Sequence, residues 1–191
     1  MAAVGNAEAT KERILEAAMS EFAAYGVAGA RVDRIAKKAD CNKNLIYVYF
    51  QNKETLFTTV LEKNLVRIYK DLAFTADDLP GYATRVFDFA MEHPDILRLL
   101  RWSSLEQSAN SVPARAASHD SKVAALEDAQ DAGRLGTGFP PAFLMTTVLT
   151  LATAWSAASP FGTAIDPDAA RDGSALRKSI ADAIRLISNA N

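Results

Sequence analysis

Residues Ala30 to Lys53, ARVDRIAKKADCNKNLIYVYFQNK, read as two short helices joined by a tight turn, and this stretch most constrains the fold. A helix of roughly eight residues does not hold itself together in water, so tertiary packing must hold both. Val32, Ile35, Ala36 and Ala39 recur at helical spacing and give the first helix one apolar face. Asp40-Cys41-Asn42 breaks the pattern. Asn42 suits the N-cap of the second helix, because its side chain can accept a free backbone N–H of the first turn. Ile46 and Phe50, four apart, share the buried face of that helix. Lys43, Asn44, Leu45, Tyr47 and Tyr49 are left on its outer faces. A short outer face carrying a cation, amides and phenols suits the major groove of DNA. Lysine neutralises phosphate, phenols and amides hydrogen-bond phosphate oxygens, and amides also read base edges.

The series Ile35-Ala36-Lys37-Lys38-Ala39, a turn, Leu45-Ile46-Tyr47-Val48-Tyr49-Phe50 and Lys53-Glu54-Thr55-Leu56-Phe57 resembles the helix-turn-helix domain of tetracycline-repressor (TetR) family regulators. The likeness runs from about Thr10 to Leu61. Three positions depart from it: Asp40 stands at the usual turn glycine, Cys41 at a small aliphatic residue and Arg31 at a threonine. Aspartate tolerates a left-handed backbone, so the turn survives. The missing threonine removes one phosphate contact, for which Arg31 is the substitute. The resemblance implies an all-α chain: a three-helix DNA-binding head over residues 1–52 and a larger ligand-binding and dimerisation domain over 53–191. It implies a homodimer on a near-palindromic double-stranded operator, most simply a repressor released by a small, largely apolar effector. Arg31, Asn42, Lys43, Asn44, Leu45, Tyr47, Tyr49 and Lys53 are then the expected DNA-binding residues.

Charge supports a local docking surface. The chain carries a net charge of −2, which argues against a general nucleic-acid coat. Residues 31–53 nevertheless hold 6 Lys/Arg against 2 Asp/Glu. One cysteine makes no intrachain disulfide, and the N-terminus has no apolar signal core, so a reducing, cytoplasmic setting is expected.

Taken in order, residues 1–7 are small and polar and read as a frayed or extended arm. Thr10 reads as the cap of a helix to Tyr25, stopped by Gly26, with Ile14, Ala18 and Phe22 buried. Asn52 reads as the cap of a helix to about Leu72, with Lys53 in its first turn, where free N–H groups suit a phosphate. By resemblance, this helix is the lever between the two domains. Ala73 to Leu79 is a polar break, and Pro80 fits the first turn of a helix to about Glu92. His93-Pro94 ends that helix and starts another, Asp95 to about Gln107. After a loop over Ser108 to Val112, Pro113 opens a helix to about Ala132, ended by Gly133. Its alanine-rich, charged centre predicts shallow burial.

Leu135 to Ile165 carries no charge. A membrane span needs about 20 apolar residues. Here Gly136, Gly138, Pro140 and Pro141 break one end, Pro160-Phe161-Gly162 breaks the other, and no cluster of cations flanks the helix. A helix over Pro141 to Ser159 is therefore expected in a core or an oligomer interface. The last helix, Ser174 to Ser188, puts Leu176, Ile180, Ala183, Ile184 and Ile187 on one stripe. By resemblance, these two helices form a four-helix dimer interface. About nine helices are expected in all.

Tyr82, Phe89, Trp102, Phe143, Met145, Leu149 and Trp155 fall on helices that the family arranges around a pocket, and His93, Thr146 and Thr150 are candidate polar anchors. The plain alternative is that they fill one another's space. Likewise, His93 also reads as a cap, His119 as a surface residue, and Cys41 as packing between helices or as a redox switch. Two distant histidines and one cysteine make no metal site, and no cofactor motif is present. An all-α enzyme needs a nucleophile, a base and an orienting group that converge, and no such set assembles here. An enzyme or a helical interaction protein without DNA binding remains the alternative. A salt-dependent shift on specific DNA separates these classes.

Overall fold

The structure, a computed structural model, describes residues 2–106, 113–169 and 172–191, with side chains from residue 7 in the first segment and 115 in the second. The described residues form ten α-helices and one 3-10 turn, and no strand. The chain divides into two compact units: Met1–Val66 with Asp95–Val112, and Arg67–Pro94 with Pro113–Asn191.

In the first unit, α1 (Ala2–Gly29) buries Ile14, Ala18 and Phe22. The expected arm is instead helical from Ala2, because alanines at 2, 3, 7 and 9 favour helix and no proline interrupts them. Thr10 is therefore an interior residue and not a cap; its hydroxyl accepts from Arg13 Nη2 at 3.3 Å. Gly26 stops the regular helix as expected. Its φ is +66°, and a Cβ there would meet Trp102 at 2.8 Å, so both backbone and space demand glycine. Helices α2 (Val32–Lys38) and α3 (Lys43–Phe50) follow, with Ile35, Ala36, Ile46 and Phe50 buried. Phe57, from α4 (Lys53–Asp71), meets Phe22 edge-on at 5.2 Å. The unit also takes in α6 (Pro94–Leu105), which buries Ile96 and Leu99. The expected end of that helix at Gln107 and the loop Ser108–Val112 lie outside the described residues.

In the second unit, Thr75 starts the 3-10 turn Ala76–Asp78, and Asp78 caps α5 (Leu79–Glu92) by accepting from Gly81 N at 2.9 Å. Tyr82, Val86 and Phe89 face inward. α5 packs on α8 (Pro141–Thr153) and α10 (Gly173–Ser188). α7 (Pro113–Asp131) buries Leu126 and Ala129 and leaves its first half only partly covered. Asp172 caps α10 through Ala175 N.

The helix expected over Pro141 to Ser159 ends at Thr153. The chain there folds back: Gly162 N donates to the Ala154 carbonyl at 3.1 Å, and α9 (Gly162–Ile165) begins. A Cβ on Gly162 would lie 2.4 Å from that carbonyl oxygen, so the reversal requires a residue without one. Nor is α8 buried all round. It covers Leu144, Met145, Val148 and Ala152 and leaves the opposite side, with Phe143, outward.

Candidate nucleic-acid interface

The turn between α2 and α3 is set by local chemistry. Asp40 takes φ +48°, the left-handed conformation that a turn glycine would supply. Asn42 Oδ1 accepts from Asn44 N at 2.8 Å and caps α3. Arg13 Nε donates to the Ala39 carbonyl at 3.1 Å, so α1 holds the end of α2. Cys41 is half-buried in the turn. Burial pushes its thiol up, Asp40 adds to that and Arg13 opposes it, which disfavours the thiolate that a redox switch needs.

The start of α2 is set by distant chemistry. Glu21, only 8% exposed, accepts from Arg31 N at 2.9 Å and from Arg34 Nε at 2.7 Å. Burial raises its carboxyl, but Arg34 and the Arg31 N–H outweigh that and hold it below the ordinary value. The Arg34 guanidinium also lies 4.3 Å from the Tyr25 ring centroid. Glu106, just past α6, accepts from Val27 N at 3.0 Å, and the Trp102 indole N–H donates to the Ala23 carbonyl at 3.3 Å. The corner between α1 and α2 is thus held from both sides. Glu21 and Glu106 were not among the expected site residues.

These supports present α3. Ile46 and Phe50 face the core; Asn44, Tyr47 and Val48 are exposed, with Lys43, Leu45 and Tyr49 half-buried beside them. Val48 was not singled out in sequence, yet at 72% exposed it is the most open apolar side chain of α3. Lys43 Nζ pairs with Asp33 at 2.8 Å, which raises its pKa. The Lys11 ammonium lies 5.5 Å from the Tyr49 ring. Arg31 is exposed. Asn52 caps α4 through Thr55 N at 2.7 Å, and Lys53 Nζ turns back to the carbonyls of Ala30 and Ala28, at 3.2 and 3.4 Å. The cationic rim is therefore restrained before any partner arrives.

The expected effector residues do not form one group. Trp102 belongs to the first unit, where it packs on Gly26. Phe143, Thr146 and Thr150 lie on the open side of α8, Phe143 stacked on Phe139 at 5.1 Å, so they are surface residues in one copy of the chain. Tyr82, Phe89 and Met145 are buried, and Leu149 is half-buried. His93 is the C-cap of α5, its ring 4.5 Å from that of Phe89. The Trp155 ring lies against Gly162, and its indole N–H is buried without a hydrogen bond. Among the described residues there is no cluster of metal ligands, and no helix is long and apolar enough to cross a membrane.

A helix-turn-helix with a capped, outward second helix and a cationic rim defines a DNA-binding regulator. Residues 14–60 match the model of bacterial regulatory proteins of the tetR family, and residues 78–185 match the tetracyclin repressor-like C-terminal domain. The HTH-type transcriptional repressor SCO4008 of Streptomyces coelicolor is 40% identical over 94% of this chain and 95% of its own length. The crystal structure of the transcriptional regulator SCO4942, also from Streptomyces coelicolor, aligns with a TM-score of 0.80 at 35% identity, over 93% of this chain and 97% of its own. FadR of Bacillus subtilis, solved in complex with stearoyl-CoA, shares the fold at a TM-score of 0.66 and 19% identity, over 91% and 96% of the two chains. This chain belongs to the TetR family of transcriptional regulators.

Proposed function

We propose that the protein is a repressor that binds a near-palindromic operator as a homodimer and leaves it when a small, largely apolar molecule enters the domain beginning at Lys53. The observation that carries the DNA half is the face of α3, where Asn44, Tyr47 and Val48 stand open while Ile46 and Phe50 anchor the helix. Lys43, Asn44 and Leu45 are assigned to base edges or nearby phosphates. Val48 is added to them as an apolar contact for a thymine methyl. Arg31, Tyr47, Tyr49 and Lys53 are assigned to phosphates. Asn42 spends its carbonyl oxygen on the α3 cap, leaving its amide N–H2 for a phosphate.

Dimerisation is supported by what one copy leaves uncovered: Phe143 on α8 and Leu186 on α10, 51% and 77% exposed. Phe143, Thr146 and Thr150 fit that face better than a pocket. Two heads then sit about one turn of DNA apart, or a small multiple of it. Sedimentation at micromolar concentration should show a dimer, and a monomer would remove this arrangement. The buried Tyr82, Phe89 and Met145, with His93, stay as effector-side candidates.

The reading is tested by selecting bound sequences from random DNA and then comparing variants. Lys53→Ala should weaken all sequences about equally and lower the salt slope by about one, whereas Asn44→Ala or Val48→Ala should change which bases are preferred. A change of preferred operator in Lys53→Ala would overturn the roles. An effector that releases DNA must bind the DNA-incompetent state better, typically by about 1–3 kcal/mol, and saturating operator must weaken its binding by the same factor. Equal affinity with and without operator identifies a passenger.

A further inference from the structure

Within the second unit, the end of α4, α5 and the first half of α7 bring together polar groups that satisfy one another only in part. Tyr69 comes from α4, Tyr82 from α5, and Arg115, Ser118, His119 and Lys122 from one face of α7. The Tyr69 hydroxyl and Arg115 Nη1 are both buried without a hydrogen bond. The Lys122 ammonium lies 5.2 Å from the Tyr69 ring centroid and 5.5 Å from that of Tyr82. Among the described residues, no carboxylate forms an ion pair with Arg115 or Lys122. The acid nearest in sequence, Asp120, is exposed and raises only the neighbouring His119. Phe74 meets Tyr82 edge-on at 5.0 Å and extends the aromatic side of the cluster.

Half-buried cations without counter-charges are costly, and a buried hydroxyl without a partner adds to that cost. The side chains respond accordingly. Burial lowers the Lys122 ammonium, and burial together with Arg115 and Lys122 lowers His119. Burial pushes the Tyr82 phenol up to about 12 and raises that of Tyr69 as well, against the opposing pull of Ser118 and Arg115. The shifts of Lys122 and the two phenols report burial, and that of His119 reports burial and the neighbouring cations. The two rings hold the ammonium by cation–π contact, and a carboxylate would add a charge-assisted hydrogen bond.

We propose that this cluster is the recognition point for an acidic group on the effector: an organic carboxylate held by Arg115, Lys122 and the Tyr69 hydroxyl, with its apolar remainder on the aromatic side. The inference rests on the reading of this unit as the effector domain, and the two are separable. The probes are two matched sets at constant ionic strength, octanoate with octanol and octylammonium, and phenylacetate with phenylacetamide and phenethylammonium. Calorimetric titration and thermal unfolding of the full chain should show that the carboxylate of at least one set binds and the neutral and cationic members do not. Arg115→Gln and Lys122→Met should each weaken that binding roughly tenfold or more, the usual weight of a hydrogen bond to a charged group. Tyr69→Phe should weaken it severalfold while leaving the unfolding temperature of the free protein unchanged or higher, an outcome that a purely structural tyrosine would not give. The proposal is overturned if neither carboxylate binds, if a neutral or ammonium member binds as tightly, or if the variants keep wild-type affinity. Operator release is read in the same mixtures. Carboxylate binding without release removes the effector reading and leaves the anion site; release by a neutral compound alone does the reverse.

Discussion

The two units treat their inward charges in opposite ways. In the first, Glu21 is nearly buried and fully engaged, by Arg34 and the Arg31 N–H, and Glu106 engages Val27 N. In the second, Tyr69, Arg115 and Lys122 are drawn inward, and among the described residues no carboxylate pairs with either cation. A satisfied network makes a scaffold rigid, and α3 needs a rigid scaffold to present its side chains in register. An unsatisfied one leaves binding free energy available to whatever completes it. The contrast teaches that a buried charge by itself is neutral evidence; its partners decide whether it serves shape or recognition.

The sharpest way to break the comparison is at Glu21. Glu21→Ala strands the Arg31 N–H and the Arg34 guanidinium, and should lower stability by about 2 kcal/mol in urea unfolding, with weaker operator binding. Its carboxyl is held below the ordinary 4.5, so its contribution is complete above that value and is lost as pH falls through the lower folded value. A wild-type-like acid unfolding curve for Glu21→Gln would show that the engagement is not stabilising. Glu106→Ala should act in the same direction but less, about 1 kcal/mol, because the stranded N–H groups lie nearer to solvent.

In the second unit the sign should reverse. Tyr69→Phe removes an unpartnered hydroxyl, and its free-energy change should fall between zero and a gain of about 1 kcal/mol. A loss as large as that of Glu106→Ala would erase the distinction between the units. The smallest effect belongs to His119. Its folded pKa lies below the ordinary 6.5, so the unfolded chain binds the extra proton first and stability declines as pH drops below 6.5. His119→Asn should show a shallower decline between about pH 7 and 5, measured as the difference in unfolding temperature from wild type.

Features governed by near neighbours were legible. The Asn42 cap, the left-handed Asp40 and the inward pair Ile46 and Phe50 each follow from residues within four positions, and the stop at Gly26 was legible from its backbone freedom, although Trp102 also fills the space beside it. Other features were not. His119 reads as a surface residue and is half-buried beside Arg115 and Lys122, because a polar residue type does not reveal which face of its helix packs. Counting back along α7 from the buried Leu126 at helical spacing reaches Lys122, His119, Ser118 and Arg115, so a signal was present in the period if not in the polarity. For α8, the uncharged run named an apolar stretch. It did not reveal that the chain reverses after Thr153 over a glycine eight residues beyond Ala154.

The sequence by itself determined the all-α class, the helix-turn-helix and the TetR family, because these follow from periodicity, caps and a motif of near-constant spacing. Tertiary structure alone decided which charges are satisfied. Glu106 and Val27 are 79 residues apart, and Glu21 and Arg34 are 13 apart across a helix corner. Whether such pairs meet depends on how helices pack in three dimensions, where a shift of about one ångström makes or loses a hydrogen bond. The same holds for Lys53, whose place in the motif was plain but whose ammonium rests on the carbonyls of Ala28 and Ala30. Residue type set what each side chain was able to do; the packing around it selected what it does.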